Sequence, residues 1–287
     1  MKKLGFIGTG VMGSGIINNL LKANYEINIY TRTESKAEPL LKKGAKWLSS
    51  PKDVAENSDI IFSMVGFPQD VKDVYFKDNG VFAGLTSGKI IVDMTTSTPT
   101  LAKEIGEKAE KINVETLDAP VSGGDVGARD GKLTIMVGGS KKAFDELVPI
   151  FDIIGQTNHY FGSYGAGQHA KMANQIMIAG TMTGMTEMFV YAKAAGLDMD
   201  AILKTVSGGS ANNWSLDNYG PRVLAGDFKP GFYSKHFLKD LRIALEESEK
   251  MNLDLPATKQ AKALYEKLVD EKDLGNDGTQ ALIKLWW

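Results

Sequence analysis

The sequence predicts an α/β chain in two parts: a sheet-and-helix domain over residues 1–162 and an all-helical domain over residues 163–287. Three observations lead there. Short β-rich runs alternate with helical segments through the first half, the signature of a parallel sheet. Five glycines crowd the first strand-to-helix junction, between Gly5 and Gly15. After Gly162 the β-branched runs all but vanish, and helical patterns continue to the end.

LGFI (4–7), EINIY (26–30), DIIFSMV (59–65), KIIVDM (89–94) and VETLDA (114–119) read as strands. Several are apolar on both faces, as a buried parallel sheet requires. Helical patterns fall between them at 12–23, 34–43, 51–57, 69–76 and 99–110, with Pro51 and Pro99 suited to helix N-termini. LTIMVGG (133–139), a helix near 141–150 and NHYFG (158–162) extend the sheet at one edge. Beyond SYGAG, helices are predicted at about 166–195, 199–207, 234–250, 256–271 and 277–285. The first is long enough to span two domains. Its small residues, among them Ala179, Gly180, Thr183 and Gly184, suit either close approach of another helix or plain core packing.

Composition narrows the function classes. The chain has 287 residues, 43% hydrophobic and 24% charged, with a formal net charge of −2. Nothing in that balance points to nucleic acid or an anionic membrane. There is no cysteine, which removes disulfides, thiolate nucleophiles and cysteine-based zinc sites, and no cluster suggests a metal. The short apolar run after Lys2 and Lys3 breaks at Gly8, too soon for a signal peptide, so a cytoplasmic protein without membrane spans is expected.

Gly8-Thr9-Gly10-Val11-Met12-Gly13 forms G-x-G-x-x-G between the first strand and the first helix. In that context Gly8 permits the tight turn, Gly10 lets the backbone approach a pyrophosphate, and Gly13 lets helix and strand pack. The helix N-terminus offers free N–H groups to phosphates. The motif therefore reads as a Rossmann-type dinucleotide-binding turn, against the bare alternative of a glycine-rich turn without ligand. Where an NAD site usually carries an acidic residue, the second strand ends in IYTRTESK. Arg32 can pair with a 2′-phosphate, and Thr31 and Thr33 add hydroxyls. NADP(H) is thus favoured, with NAD(H) as the alternative. Glu34 is the acidic counter-candidate, placed in the next helix, and Arg32 also reads as a plain surface charge.

A nicotinamide enzyme needs a group that exchanges a proton with the reacting oxygen. His159, His169 and His236 sit in no catalytic pattern. In GAGQHAKMANQ (165–175), Asn174 and Gln175 follow Lys171 by three and four residues and share its helix face. In an apolar cleft, desolvation disfavours the charged form of such a lysine. From spacing alone an ordinary surface lysine is the better reading.

Four motifs in order resemble the β-hydroxyacid dehydrogenase family, which includes 3-hydroxyisobutyrate dehydrogenases and tartronate, glyoxylate and succinic semialdehyde reductases. They are FIGTGVMGSGIINNLLKANY, DAPVSGGDVGARDGKLTIMVGG (118–139), GAGQHAKMANQ and LKDL (238–241), spread over essentially the whole chain. The resemblance implies Lys171 as general acid/base, and Ser122, Gly123 and Gly124 as the substrate-carboxylate site. It places Asn174 and Gln175 at the substrate, Met64, Val65 and Thr96 along the cofactor, and Lys239 near nicotinamide and substrate. Gln175 stands where many relatives have asparagine, and Gly66 where a proline is typical. By local pattern alone, SGG is equally a plain turn and Lys239 a helix-surface charge paired with Asp240. Asn212, Trp214, Tyr219 and Phe232 fall between helices, as pocket walls or ordinary core.

The resemblance implies an NADP(H)-dependent oxidoreductase acting on a small carboxylate-bearing aldehyde or hydroxyacid held between the domains, as a homodimer or homotetramer. An NADPH-dependent imine reductase shares the architecture but generally lacks the lysine. A non-catalytic dinucleotide-binding interaction module would not need Ser122, Lys171, Asn174 and Lys239 together.

Overall fold

The structure, a computed structural model, describes residues 2–287. It comprises two compact units that divide between Lys171 and Met172, inside one long helix.

In the first unit the chain runs β1 (Leu4–Ile7), α1 (Val11–Lys22), β2 (Ile27–Tyr30), α2 (Glu38–Leu41), β3 (Lys46–Trp47), α3 (Pro51–Glu56), β4 (Ile60–Ser63), α4 (Pro68–Phe76), α5 (Val81–Gly84) and β5 (Ile90–Asp93). It continues through α6 (Pro99–Glu110), β6 (Glu115–Asp118), β7 (Val121–Ser122), α7 (Gly124–Asp130), β8 (Leu133–Gly139), α8 (Lys141–Ile154) and β9 (Gly155–Gly162), and α9 (Ala166–Ala194) begins here. Strands β3-β2-β1-β4-β5-β6 lie side by side and parallel. That order reverses direction between β1 and β4, the switch point where doubly wound sheets leave a crevice at their carboxyl ends.

Strand alternation builds two cores. Leu4, Phe6, Ile60, Phe62, Ile90 and Val92 fill one face of the sheet. Ile7, Ile61 and Ile91 fill the other. Both faces are therefore dry, which is why these strands read as continuous apolar runs rather than as polar–apolar alternation. Phe6 and Phe62 stack with centroids 6.0 Å apart. Side-chain caps start two of the covering helices: Ser50 Oγ accepts the Asp53 N–H, and Thr98 Oγ1 accepts the Leu101 N–H.

The sheet's far edge is not parallel. Strands β6 and β7 both pair antiparallel with β8 in one continuous register, Leu117 opposite Gly139 and Ser122 opposite Thr134, while β9 pairs parallel with β8. Only Ala119 and Pro120 separate β6 from β7. The return to β8 through short α7 is a turn-back, too brief for the crossover a parallel partner needs.

Other local differences have similarly local causes. The helix expected over 34–43 is a 3-10 turn over Glu34–Ala37 followed by α2, because Pro39 supplies no N–H to continue a ladder. Glycine-rich α7 and two-residue β3 and β7 carry too little periodic signal to read from sequence.

The second unit holds the rest of α9, then α10 (Met199–Ser207), α11 (Trp214–Leu224), α12 (Ser234–Lys250) and α13 (Pro256–Glu266), with a π turn at Lys267–Glu271 and a 3-10 segment at Thr279–Leu285. The expected helices over 256–271 and 277–285 are thus partly irregular. Helix α11 occupies a stretch expected to lie between helices. Asn213 Oδ1 starts it by accepting the Leu216 N–H, overriding the interior Pro221. Trp214 at its start is exposed, while Tyr219 is buried and meets that indole edge-on. Phe237, Leu241, Tyr265, Leu268 and Leu282 form one core cluster, and Met182, Met185, Phe189 and Leu216 another. Among the described residues no helix is long and apolar enough to cross a membrane.

Candidate active site

The glycine turn after β1 is pinned on both sides. Gly8 donates its N–H to the Tyr30 carbonyl, and Met64 donates to the Ile7 carbonyl. Gly8 has φ +103°, and a Cβ there would collide with the Met64 carbonyl oxygen, so the fold itself demands glycine. A Cβ on Gly13 would likewise strike the Gly8 carbonyl.

Gly10 differs. Its φ is −67°, and no heavy atom lies within 4 Å of where its Cβ would stand. Nothing in the protein requires a glycine there. It caps α1 without a side-chain hydrogen bond, and no acidic residue occupies that helix's first turn. The buried Thr9 Oγ1 has no hydrogen-bond partner among the described residues. An open glycine, an uncapped helix N-terminus and an orphaned hydroxyl fit a dinucleotide pyrophosphate. Val11 is exposed and Met12 half-buried beside them.

Thr31 follows β2 half-buried, and Arg32 and Thr33 are exposed. The Arg32 guanidinium lies 3.3 Å from Asp70 Oδ1. Asp70 sits in the first turn of α4 and also accepts the Phe67 N–H. Glu34 opens the 3-10 turn, clear of the strand end.

At the ends of β4 and β5 a buried polar chain joins the loops that carry Met64, Val65 and Thr96. Tyr75 and Ser63 share a hydroxyl–hydroxyl bond of 2.9 Å, and Ser63 donates to Asp93 Oδ1 at 2.8 Å. Thr95 donates its N–H to the same oxygen, and its own Oγ1 accepts the Val65 N–H at 3.0 Å. Burial, and secondarily the Asp93 charge, push the Tyr75 phenol well above its ordinary value, so it stays a neutral hydrogen-bonding group.

Ser122 ends β7, Gly123 is exposed with φ +124°, and Gly124 starts α7 without a side-chain cap. The SGG segment is therefore a left-handed turn into a short helix.

Lys171 lies in the second turn of α9 with only 6% of its surface exposed. It is not the surface lysine that spacing alone suggests. Two residues that no sequence pattern singles out, Asp118 and Gln168, hold the turn before it. Asp118, at the end of β6, accepts the Gly165 and Gln168 N–H groups, both at 2.8 Å. The Gln168 side chain donates to the Thr95 carbonyl at 2.7 Å and accepts the Ser97 N–H at 3.0 Å. Asp118 opens DAPVSGG and Gln168 stands within GAGQHAK, but only position in space reveals their partners. Burial pushes the Asp118 carboxyl up to about 7; Asp93 adds to the rise, and the two N–H donors oppose it.

In the helical unit Asn174 donates to Gln175 Oε1, and Gln175 donates to Asp240 Oδ2, both at 2.7 Å. Lys239 Nζ lies 3.1 Å from Asp240 Oδ1, with its side chain 12% exposed and that of Asp240 1%. Lys239 does pair with Asp240, but away from solvent. A groove of about 760 Å³ also runs beside α9, lined by Ile176, Met177, Gly180, Gly184, Met185 and Met188 among others.

The reversed strand order, the glycine turn at the switch point and the open space at Gly10 define a Rossmann-like domain of the dinucleotide-binding class. Comparison with known proteins narrows the class. The family model for the NAD binding domain of 6-phosphogluconate dehydrogenase matches residues 3–165, and that for the NAD-binding region of NADP-dependent 3-hydroxyisobutyrate dehydrogenase matches residues 165–286. The chain belongs to the β-hydroxyacid dehydrogenase family and is an NAD(P)-dependent oxidoreductase of the hydroxyacid dehydrogenase type. It is 47% identical to the probable 3-hydroxyisobutyrate dehydrogenase-like 1, mitochondrial, of Arabidopsis thaliana, covering 98% of this chain and 84% of that one. It is 37% identical to the 2-hydroxy-3-oxopropionate reductase of Escherichia coli (strain K12), covering 92% and 90%. Among solved structures, the Mycobacterium tuberculosis 3-hydroxyisobutyrate dehydrogenase with L-serine superposes with a TM-score of 0.91 at 26% identity, covering 99% of each chain.

Proposed function

We propose that the protein interconverts a small β-hydroxyacid and its semialdehyde with NADP(H), and that Lys171 is the general acid/base. One observation carries the reading: a lysine buried to 6% exposure sits one helical turn beyond an anchor tied to the ends of β5 and β6. In doubly wound sheets those carboxyl ends border the dinucleotide.

Gly8, Thr9, Gly10, Val11, Met12 and Gly13 hold the pyrophosphate. Thr31, Arg32 and Thr33 hold the ribose end and its 2′-phosphate. Met64, Val65 and Thr96 border the nicotinamide. When bound, the reduced nicotinamide supplies a hydride to the substrate's carbonyl carbon. Ser122 Oγ and the Gly123 and Gly124 amides receive the substrate carboxylate, since convergent donors bind a carboxylate well. In the reducing direction the Lys171 ammonium gives a proton to the oxygen that becomes the hydroxyl. In the oxidising direction its amine takes that proton back. In the helical unit, Asn174, oriented by Gln175, and Lys239, paired with Asp240, are the residues assigned to the substrate. A lysine at position 171 disfavours the imine-reductase alternative.

The groove beside α9 seats a second copy of the chain in a homo-oligomer. Met177 is 67% exposed in it, and no atom lies within 4 Å of a Cβ built on Gly180 or Gly184. Such an apolar, uncrowded face suits helix-to-helix contact.

The test is turnover of glyoxylate and of succinic, tartronate and methylmalonate semialdehydes with NADPH and NADH, for wild type and Lys171→Ala. The variant should lose roughly 10²–10⁴ in kcat, with NADPH affinity nearly intact. Unchanged turnover removes Lys171 from the chemistry.

A further inference from the structure

Gln168 has no solvent exposure, and every polar group of its side-chain amide that bonds does so to one short loop. Nε2 reaches the Thr95 carbonyl and Oε1 the Ser97 N–H. This is how a neighbouring strand would bond residues two apart, with the amide standing in for a peptide group. The Gln168 backbone N–H is bound as well, to Asp118. Gly167 allows this seating, since a Cβ there would lie 2.5 Å from the Asp118 and Met136 carbonyl oxygens. The first turn of α9 is thus set on the ends of β5 and β6 and on the middle of β8 by three hydrogen bonds and the close approach of Gly167. Lys171 follows Gln168 by three residues, one turn along the same helix. Thr96 stands between the two residues that the amide grips.

We propose that Gln168 is a positioning residue: its amide ties the strand-end loop around Thr96 to the helical turn of Lys171 and fixes the register in which the lysine meets the reacting oxygen. This rests on the reading of Lys171 as general acid/base. A displacement of about 1 Å from that register costs on the order of 10²-fold in rate. A residue that merely satisfied two buried backbone groups would affect stability without acting through the lysine.

The experiment compares full-length wild type, Gln168→Met, Lys171→Ala and the double variant, with kcat for the best aldehyde of the panel and NADPH affinity by fluorescence titration. Gln168→Met should lower kcat by about tenfold or more, with NADPH affinity within about twofold. In the Lys171→Ala background the same change should move the residual rate by less than about twofold, because the group it positions is gone. Wild-type kcat in Gln168→Met, or an equal loss in both backgrounds, overturns the proposal. Lys171→Ala alone judges the general-acid reading, so the two failures are separable. Should Gln168→Met not fold, Gln168→Glu decides. It keeps the acceptor for Ser97 but faces the Thr95 carbonyl with a donor only when protonated. Its kcat relative to wild type should recover as pH falls; a ratio independent of pH overturns the proposal.

Discussion

Gln175 and Asp240 are joined side chain to side chain, Nε2 to Oδ2 at 2.7 Å, although 65 positions separate them in sequence. The Gln175 carbonyl is engaged too, by Asn174. Its amide is therefore committed within the helical unit, and the extra methylene relative to asparagine supplies the reach to α12. Replacing Gln175 with Leu strips a donor from a carboxylate that is 1% exposed. The cost should be about 1–3 kcal/mol, read as a lower urea midpoint. Asn174→Ala should cost less. Equal midpoints for wild type and Gln175→Leu would show that the bond contributes nothing.

The glycine turn separates fold from ligand. Gly13→Ala places a Cβ against the Gly8 carbonyl and should destabilise the first unit by more than about 1 kcal/mol. Gly10→Ala meets open space and should stay within about 1 kcal/mol of wild type, yet weaken dinucleotide binding by about tenfold or more. Thermal melts and cofactor titration on both variants check this. Undiminished binding in Gly10→Ala would deny the pyrophosphate its place there.

Coenzyme preference turns on Arg32, whose guanidinium is mostly exposed and lies near Asp70. An exposed ion pair of this kind contributes little to stability, so the guanidinium remains available to a phosphate. Arg32→Ala should weaken NADPH by about tenfold and NADH by no more than about twofold, with an unchanged melting temperature. Equal losses for both coenzymes would take Arg32 out of the phosphate site.

Asp118 makes stability depend on pH. Its carboxyl is raised from 3.8 to about 7 by burial, so the folded state holds the proton more tightly than the unfolded chain does. The resulting stability is complete below the unfolded value and is lost as pH rises through about 7. Asp118→Asn has nothing to titrate there. The melting temperature of wild type minus that of the variant should therefore fall between about pH 4 and pH 8 and stay level above that. A constant difference would show that the carboxyl does not titrate in that window.

The groove beside α9 predicts association. Wild type should elute as an oligomer in size-exclusion chromatography with light scattering, and Met177→Glu should shift it toward monomer with its helical content retained. A charge placed in an apolar contact is costly to bury. A monomeric wild type would dispose of the seat.

What the sequence determined by itself follows from short-range rules. A strand buried on both faces must be apolar throughout, and so β1, β4 and β5 were legible. A turn that admits only glycine at Gly8 advertises itself, and the missing acid after β2 is visible as Arg32. Lys171 was found by its neighbours in a motif, since its spacing alone argued for the surface. The tertiary structure decided the rest. It turned β8 antiparallel to β6 and β7, gave α11 its place, and buried Lys171. It also supplied the partners of Gln168, Asp118 and Gln175, whose bonds span 73, 50 and 65 positions. Helical and strand periodicities report which side of an element is apolar. They carry no record of which distant polar group a buried amide or carboxylate will meet, because that is fixed only when desolvation forces each to find one.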